Sequence, residues 1–260
     1  RKLEAEFEPG FHVLLGNNAQ GKTNLLEAVY ILSTLRSFRG VGNSQIIHHE
    51  RPAFFVGGIT IGQTESDIRY YWAPKERKLM VNQKPIRRLA DYLGTLRTVV
   101  FCTDDLQLVK GSAKSRRRFL DLLLTQTQPG YLDLLHRYTE SLRSRNALLK
   151  GDTPDTTLLE SFTAELISTG NKLMTARKGL AEKLSPLVRI GYRKIASKPE
   201  DAKMDYAPSV MHDFAIELAK SRIREQRYRS TIVGPHRDEV KLFLNHKSAA
   251  EYASEGQKRT

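Results

Sequence analysis

Cysteine is nearly missing from this chain: Cys102 is the single one among 260 residues. An internal disulfide is thereby excluded, which suits a reducing cytoplasm. Cys102 sits in the apolar run Val99-Val100-Phe101-Cys102, where a thiol reads as a small core side chain rather than a nucleophile. Long apolar stretches are lacking too. No segment approaches the roughly eighteen residues that a membrane helix needs, and no secretory signal is visible. Acidic residues are in deficit, 29 Asp plus Glu against 42 Lys plus Arg, for a formal net charge of +13. Such a charge favours an anionic partner, nucleic acid first, although a soluble basic protein without one would show the same balance. An initiator methionine is absent as well, and Leu3, Ala5 and Phe7 alternate from the start. The expectation is a fragment that begins inside a strand.

What is present is the composition of a folded protein, 40% hydrophobic with 10 Phe and 10 Tyr. The length allows one large domain or two smaller ones. The stretch Gly16-Asn17-Asn18-Ala19-Gln20-Gly21-Lys22-Thr23 matches the P-loop pattern. Before it, Phe11 to Leu15 reads as a short buried strand; after it, Leu25, Leu26, Val29, Leu32 and Leu35 recur at helical spacing. Glycines let successive backbone N–H groups converge on an anion, and the positive end of the helix dipole faces the same spot. Lys22 is placed to reach β- and γ-phosphates, and the Thr23 hydroxyl to complete a Mg²⁺ shell.

Arg36-Ser37-Phe38-Arg39-Gly40 reads as a loop running past the nucleotide. Phe54 to Ile61, Asp67 to Ala73 and Leu79 to Val81 read as an antiparallel meander. Within it Tyr70, Tyr71 and Trp72 read as core in preference to a base-stacking platform. Leu96 to Cys102 is a further buried-strand candidate. Asp104 and Asp105 beyond it fit a Walker B element or a helix N-cap equally well. From Ser112 helices take over, with a break at Gln128-Pro129-Gly130 and a turn at Gly151-Asp152-Thr153-Pro154-Asp155. Thr157-x-x-Glu160 reads as a capping box, and the apolar spacing predicts an antiparallel hairpin whose second helix is kinked or ended by Pro186. Lys198 to Pro208 reads as a loop. The next helix carries Arg222, Arg224, Arg227 and Arg229, either a solvated face or a phosphate-contacting patch. Thr231 to Val233 and the run through Leu244 read as strands around the turn Gly234-Pro235-His236-Arg237-Asp238.

Taken together these motifs resemble the RecF family, bacterial recombination mediators related to the SMC and ABC-type ATPases. The likeness rests on Gly16 to Ala28, Arg36 to Arg39, Asp105-Leu106-x-Leu108-Val109-Lys110-Gly111, Arg116-Arg117-Arg118-Phe119-Leu120-Asp121, Arg145-Asn146-Ala147-Leu148-Leu149-Lys150 and Gly234 to Asp238. Ser254-Glu255-Gly256-Gln257 corresponds to the ABC signature motif. The resemblance implies an α/β fold: a P-loop ABC-type ATPase head lobe with an antiparallel β meander (residues 1–110 and 231–260) and a mostly helical second lobe (residues 111–230). It further implies ATP and Mg²⁺ as cofactors, with Gly16, Asn17, Asn18, Ala19, Gln20, Gly21, Lys22, Thr23 and Asn24 on the nucleotide. Ser254, Glu255, Gly256 and Gln257 are expected to act in trans across an ATP-dependent homodimer. Single- and double-stranded DNA at gaps or junctions is the implied partner, with Arg116, Arg117, Arg118, Arg222, Arg224, Arg227 and Arg229 as candidate contacts. RecR, RecO and the recombinase RecA are the implied protein partners, in recombinational repair, replication-fork maintenance and the SOS response. The implied location is the bacterial cytoplasm and nucleoid.

The family also carries a strand and an Asn-Phe-Arg-type segment that are missing here before Arg1, and a Walker B strand and D-loop beyond the signature motif. On that comparison Asp104 and Asp105 become a loop after a lobe strand. On the same comparison the catalytic set is expected to be incomplete in these residues, with weak or absent hydrolysis from them alone. Two other readings remain open at this stage, a P-loop phosphotransferase using Asp104 or Asp105 and an SMC-like structural head. The helices between Tyr131 and Ile195 are short for the arm of the latter.

Overall fold

A computed structural model describes residues 3–62, 64–151 and 155–259. The chain divides into two compact units, Arg1–Val100 and Phe101–Thr260.

The first unit is built from helix α1 (Lys22–Thr34), the short helix α2 (Asn43–Ile46) and strands β1 (Phe54–Ile61), β2 (Glu65–Ala73), β3 (Glu76–Val81) and β4 (Lys84–Pro85). The strands form one antiparallel sheet in the order β1-β2-β3-β4. The β3–β4 turn is the two-residue pair Asn82-Gln83, both at positive φ (50° and 65°). That is the turn whose twist matches the flanking strands. One sheet face meets α1: Ile31, Leu32 and Leu35 pack with Ile68, Tyr70 and Leu79. Phe54 stacks on Trp72 and meets Tyr70 edge-on. The consecutive aromatics are therefore core and frame, as alternation on a pleated strand requires.

Four expectations for the first hundred or so residues change. Leu3 to Phe7 forms no strand, with Leu3 and Phe7 both exposed. Phe11 to Leu15 forms no strand; Phe11 and Leu15 are 92% and 87% exposed. Leu96 to Cys102 forms none either, with Val99 91% and Phe101 83% exposed. Alternating apolar residues supply only the potential for a strand, and ladder bonds to a neighbour make one. The buried stripe of α1 is also rotated from the expected one: Glu27 and Ile31 are inside, while Leu26 and Val29 are exposed.

The second unit carries α3 (Gln107–Lys110), α4 (Ala113–Thr127), α5 (Tyr131–Lys150) and α6 (Thr156–Ile195), then β5 (Ala202–Ala207) and α7 (Phe214–Tyr228). It ends in β6 (Glu239–Leu244), β7 (Lys247–Ser248), α8 (Ala249–Tyr252) and α9 (Glu255–Arg259). Helices α5 and α6 pair as a hairpin: Arg145 meets Thr163 and Arg137 meets Glu165. The main core gathers Leu124, Tyr131, Tyr138, Leu166, Leu173 and Phe214.

Here the differences are again physical. Helix α6 runs for 40 residues straight through Pro186, so the missing N–H costs one internal bond without ending the helix. Its N-cap is Asp155, whose side chain accepts the Leu158 N–H at 3.0 Å, in place of a box opened by Thr157. The expected turn at Gly151–Asp155 includes Asp152, Thr153 and Pro154, which lie outside the described residues. Residues 202–207 form β5 instead of a loop, antiparallel to β6. Ala202, Met204 and Tyr206 alternate with Lys203 and Asp205, a period-two signal hidden between charges and prolines. Thr231 to Val233 forms no strand; side chains hold it instead, as described below.

Candidate nucleotide-binding site

The P-loop pattern folds into a loop that hands over to α1 at Gly21. Gly16, Ala19 and Gly21 all have positive φ (148°, 64° and 93°), and such turns point successive N–H groups to one side. At Gly21 an added Cβ would meet nothing within 4 Å, so open space lies at the start of the helix. The first turn of α1 holds no acidic residue and no side-chain cap, and the first intrahelical bond is from Leu25 N–H to the Gly21 carbonyl. The N–H groups of Lys22, Thr23 and Asn24 thus precede the helical ladder and sit at its positive end. Lys22 Nζ donates to the carbonyls of Gly16 and Asn17, both at 2.6 Å, which holds the ammonium over the loop. Converging backbone donors, an ammonium and the Thr23 hydroxyl form a donor set suited to a polyphosphate.

Beside this loop a feature appears that the motif did not reveal. Glu27 is buried, accepts a hydrogen bond from the Ser37 hydroxyl and lies 3.4 Å from Arg39 Nη2. The same Arg39 nitrogen donates to Asn24 Oδ1 at 2.7 Å. Asn24, Glu27, Ile31, Arg39, Val41 and Phe54 line a cavity of about 320 Å³. The Arg36–Gly40 segment is therefore pinned to the helix that follows the P-loop. The helical spacing of Glu27 among the leucines was the available clue.

In the second unit, Ser254 to Gln257 closes a reciprocal turn. Ser254 N–H donates to Gln257 Oε1 at 2.7 Å and Gln257 N–H to Ser254 Oγ at 3.2 Å. Lys110 bonds to Glu255, whose carboxylate this pairing holds below the usual range. Asp105 accepts the Cys102 N–H at 2.6 Å across a 3-10 turn at Thr103–Leu106, which gives this carboxylate a turn-closing role.

The Gly234–Asp238 turn is held by a buried ionic network. Arg177 grips Asp121 with two bonds (2.8 and 3.0 Å), donates to the Pro235 carbonyl at 2.7 Å and lies 3.4 Å from Asp238 Oδ2. Burial alone would lower the guanidinium pKa, but the Asp121 charge outweighs it and the pKa rises. Asp238 also accepts from Tyr206 O–H and Ser209 N–H. At Gly234 (φ +129°) a Cβ would come within 2.8 Å of the Phe214 ring, so the position requires glycine. A second network fixes Thr231. Arg145 reaches Glu225 at 2.6 Å and Thr231 Oγ1 at 2.7 Å, and Asn146 accepts both the N–H and O–H of Thr231. The Arg145-Asn146 motif is thus an anchor for the chain ahead of the turn.

His236 sits between these networks. The Thr231 carbonyl can only accept, so Nε2 carries the proton (3.1 Å) and Nδ1 accepts from Tyr138 O–H at 2.6 Å. Burial lowers its pKa to about 4, the charges of Arg237 and Arg117 adding to the Thr231-opposed shift. The unfolded chain protonates near 6.5, so it binds the extra proton first. Stability is complete above pH 6.5 and falls as pH drops towards 4. By pH 5 the loss is about 2 kcal/mol. Urea unfolding at pH 7.5, 6 and 5 should show this slope, and His236→Gln should flatten it. Parallel slopes would assign the titration to another group.

Of the candidate phosphate-contacting arginines, Arg116 is held by Glu239 (2.9 and 3.2 Å) and the Gly111 carbonyl. For Glu239 burial alone would raise the pKa, but Arg116 and the Val240 N–H bring it below the usual carboxylate range. Arg117 donates to the Asp238 carbonyl. Arg118, Arg222, Arg224 and Arg227 are exposed, and Arg229 donates to the Lys150 carbonyl at the end of α7. Among the described residues no helix is long and apolar enough to cross a membrane.

No family model matches the chain. It is 39% identical over 284 residues to the DNA replication and repair protein RecF of Cyanothece sp. (strain PCC 7425 / ATCC 29141), covering all of this chain and 73% of that protein. It is 34% identical over 262 residues to the same-named protein of Lactococcus lactis subsp. lactis (strain IL1403), again with full coverage of this chain and 73% of the relative. A solved structure of the recombination mediator protein RecF-ATP in the RecFOR pathway superposes with a TM-score of 0.86 at 30% identity, over 93% of this chain and 69% of that one. The corresponding RecF-ATPrS structure gives 0.85 at 31% identity, over 94% and 70%. The shared architecture is the α/β ABC-type ATPase head expected from the motifs, and at this level of identity and coverage the chain belongs to the RecF family.

Proposed function

We propose that this protein is an ATP-dependent recombination mediator that closes into a homodimer around ATP and binds DNA at gaps or single-/double-strand junctions. The single observation that carries the reading is the P-loop geometry: three positive-φ residues, an uncapped helix start and Lys22 poised over the loop. Gly16 to Asn24 hold the nucleotide in this reading. The backbone donors take the non-bridging phosphate oxygens, and Lys22 exchanges its two loop carbonyls for phosphate. Bound ATP would supply the γ-phosphate that links two protomers, and hydrolysis would remove that link. Thr23, whose side chain is exposed, would hold a Mg²⁺ ion through its hydroxyl. Among the described residues no cluster of His, Cys, Asp or Glu is arranged as a metal cage. Ser254 to Gln257 of the second protomer would approach from the opposite side, the Ser254 hydroxyl donating to the γ-phosphate.

The exposed arginines Arg118, Arg222, Arg224 and Arg227 are better placed for a phosphate backbone than Arg116 and Arg117, whose guanidinium groups already bond within the protein. RecR, RecO and RecA are the partners consistent with a mediator of this family, and a bacterial nucleoid location follows from DNA binding. The test is sedimentation and DNA titration with and without ATP. ATP should drive dimerisation, and gapped duplex should bind more tightly to the ATP state. Changing Arg222, Arg224 and Arg227 together to Ala should weaken binding to all sequences alike and lower the log–log salt slope by about 2–3. A protein that stays monomeric and ignores DNA in saturating ATP would sink the proposal.

A further inference from the structure

The signature turn does not hold itself in place. Gln257 Oε1 is occupied by the Ser254 N–H, and Gln257 Nε2 donates to Glu200 Oε1 at 2.5 Å. A carboxylate can only accept, so Glu200 decides which end of the Gln257 amide is nitrogen and which is oxygen. The other Glu200 oxygen accepts from Tyr192 O–H at 2.8 Å. Burial, with the bond to Glu200 and its charge, pushes the Tyr192 phenol up to about 12, so it remains a donor through neutral pH. Tyr192 lies in the last turn of α6, and Glu200 lies in the connection from α6 to β5. A two-bond bridge therefore runs from the end of the hairpin helix to the signature turn. On its other side the turn is held through Glu255 by Lys110, the last residue of α3.

From this we infer that Glu200 is a positioning residue for the signature motif. It locks the Gln257 amide so that Oε1 takes the Ser254 N–H. The Ser254 oxygen then accepts from the Gln257 N–H, and its hydroxyl proton is left to donate to an anion. The inference rests on the reading of Ser254 to Gln257 as the half-site that meets ATP bound to a second protomer. Glu200 and Tyr192 belong to the compact unit Phe101–Thr260, and the P-loop to the unit Arg1–Val100. Loss of Glu200 therefore acts on the ATP-bound pair and spares ATP capture by the single protomer.

The experiment uses the full chain with ATP as the probe. Glu200→Ala should raise the dissociation constant of the ATP-bound dimer about tenfold, the factor a charge-assisted hydrogen bond supplies. Its ATP affinity as a monomer should stay within about twofold. Tyr192→Phe, which frees Glu200 without removing it, should give a smaller loss of about threefold. In combination with Gln257→Ala, Glu200→Ala should add nothing further, because both act through one bond. Self-association of Glu200→Ala at the wild-type level would overturn the inference, as would equal losses in dimerisation, ATP affinity and Tm. Ser254→Arg separates the layers. If it also dimerises normally, the trans half-site reading fails together with the inference. If it blocks dimerisation while Glu200→Ala does not, only the role of Glu200 falls.

Discussion

Lys22→Met is expected to lower ATP affinity roughly a hundredfold and to leave the fold intact. The two consequences have separate causes. Among the described residues Lys22 Nζ bonds to the carbonyls of Gly16 and Asn17, and both lie at the surface. Water replaces the ammonium there at little cost, so Tm should move by no more than a few degrees. With a triphosphate in the loop the same ammonium would meet concentrated negative charge at a helix start. Hydrogen bonds to charged groups contribute about 1.5–3 kcal/mol, and a hundredfold corresponds to about 2.7 kcal/mol. Titration with a fluorescent ATP analogue, paired with a thermal melt, reads both quantities. Binding within threefold of wild type would remove the P-loop as the nucleotide site.

Arg177→Leu should be the most damaging single change to stability, costing about 3–5 kcal/mol. Its side chain is 4% exposed, and its guanidinium serves Asp121, Asp238 and the Pro235 carbonyl at once. Leucine would fill part of the space but strand the carboxylate of Asp238, which is fully buried. Stranded buried charge is what makes such a change expensive, since a typical domain has only about 5–15 kcal/mol in total. The comparison is Arg137, which pairs with Glu165 at the surface, with side chains 59% and 35% exposed. Arg137→Ala should cost less than about 1 kcal/mol. Urea unfolding of the three proteins at pH 7.5 decides the matter. A loss below 1 kcal/mol for Arg177→Leu would mean that the network does not hold the Gly234–Asp238 turn.

Much of the site was legible because its signals are local. A P-loop needs glycines at two fixed places, a lysine and a helix immediately after, and all of these occupy one short stretch. The β1–β3 meander and the α5–α6 hairpin were legible for the same reason, through turn residues and apolar periodicity. Cooperation between distant residues was not. Arg116 and Arg117 look like a basic patch in sequence, yet both reach Asp238 or Glu239, more than a hundred positions away. Thr231 to Val233 looks like a strand until Asn146 and Arg145 claim its polar groups. Pro186 reads as a kink or a helix end, yet α6 continues through it, with Ala181 and Leu184 beside it packed into a core.

By itself, then, the chain's sequence determined the chemistry available: a loop of P-loop pattern ahead of a helix, the turn from Ser254 to Gln257, a surplus of positive charge and the elements that carry them. Backbone conformation and periodicity act over a few residues, so these could be read in order along the chain. Only the tertiary structure decided which charges are spent inside and which remain for a partner. Burial and pairing depend on what packs against a side chain, and packing brings together residues that sequence distance keeps apart. Glu200 is the clearest instance: an unremarked acid between two prolines that becomes, on folding, the residue against which Gln257 is set.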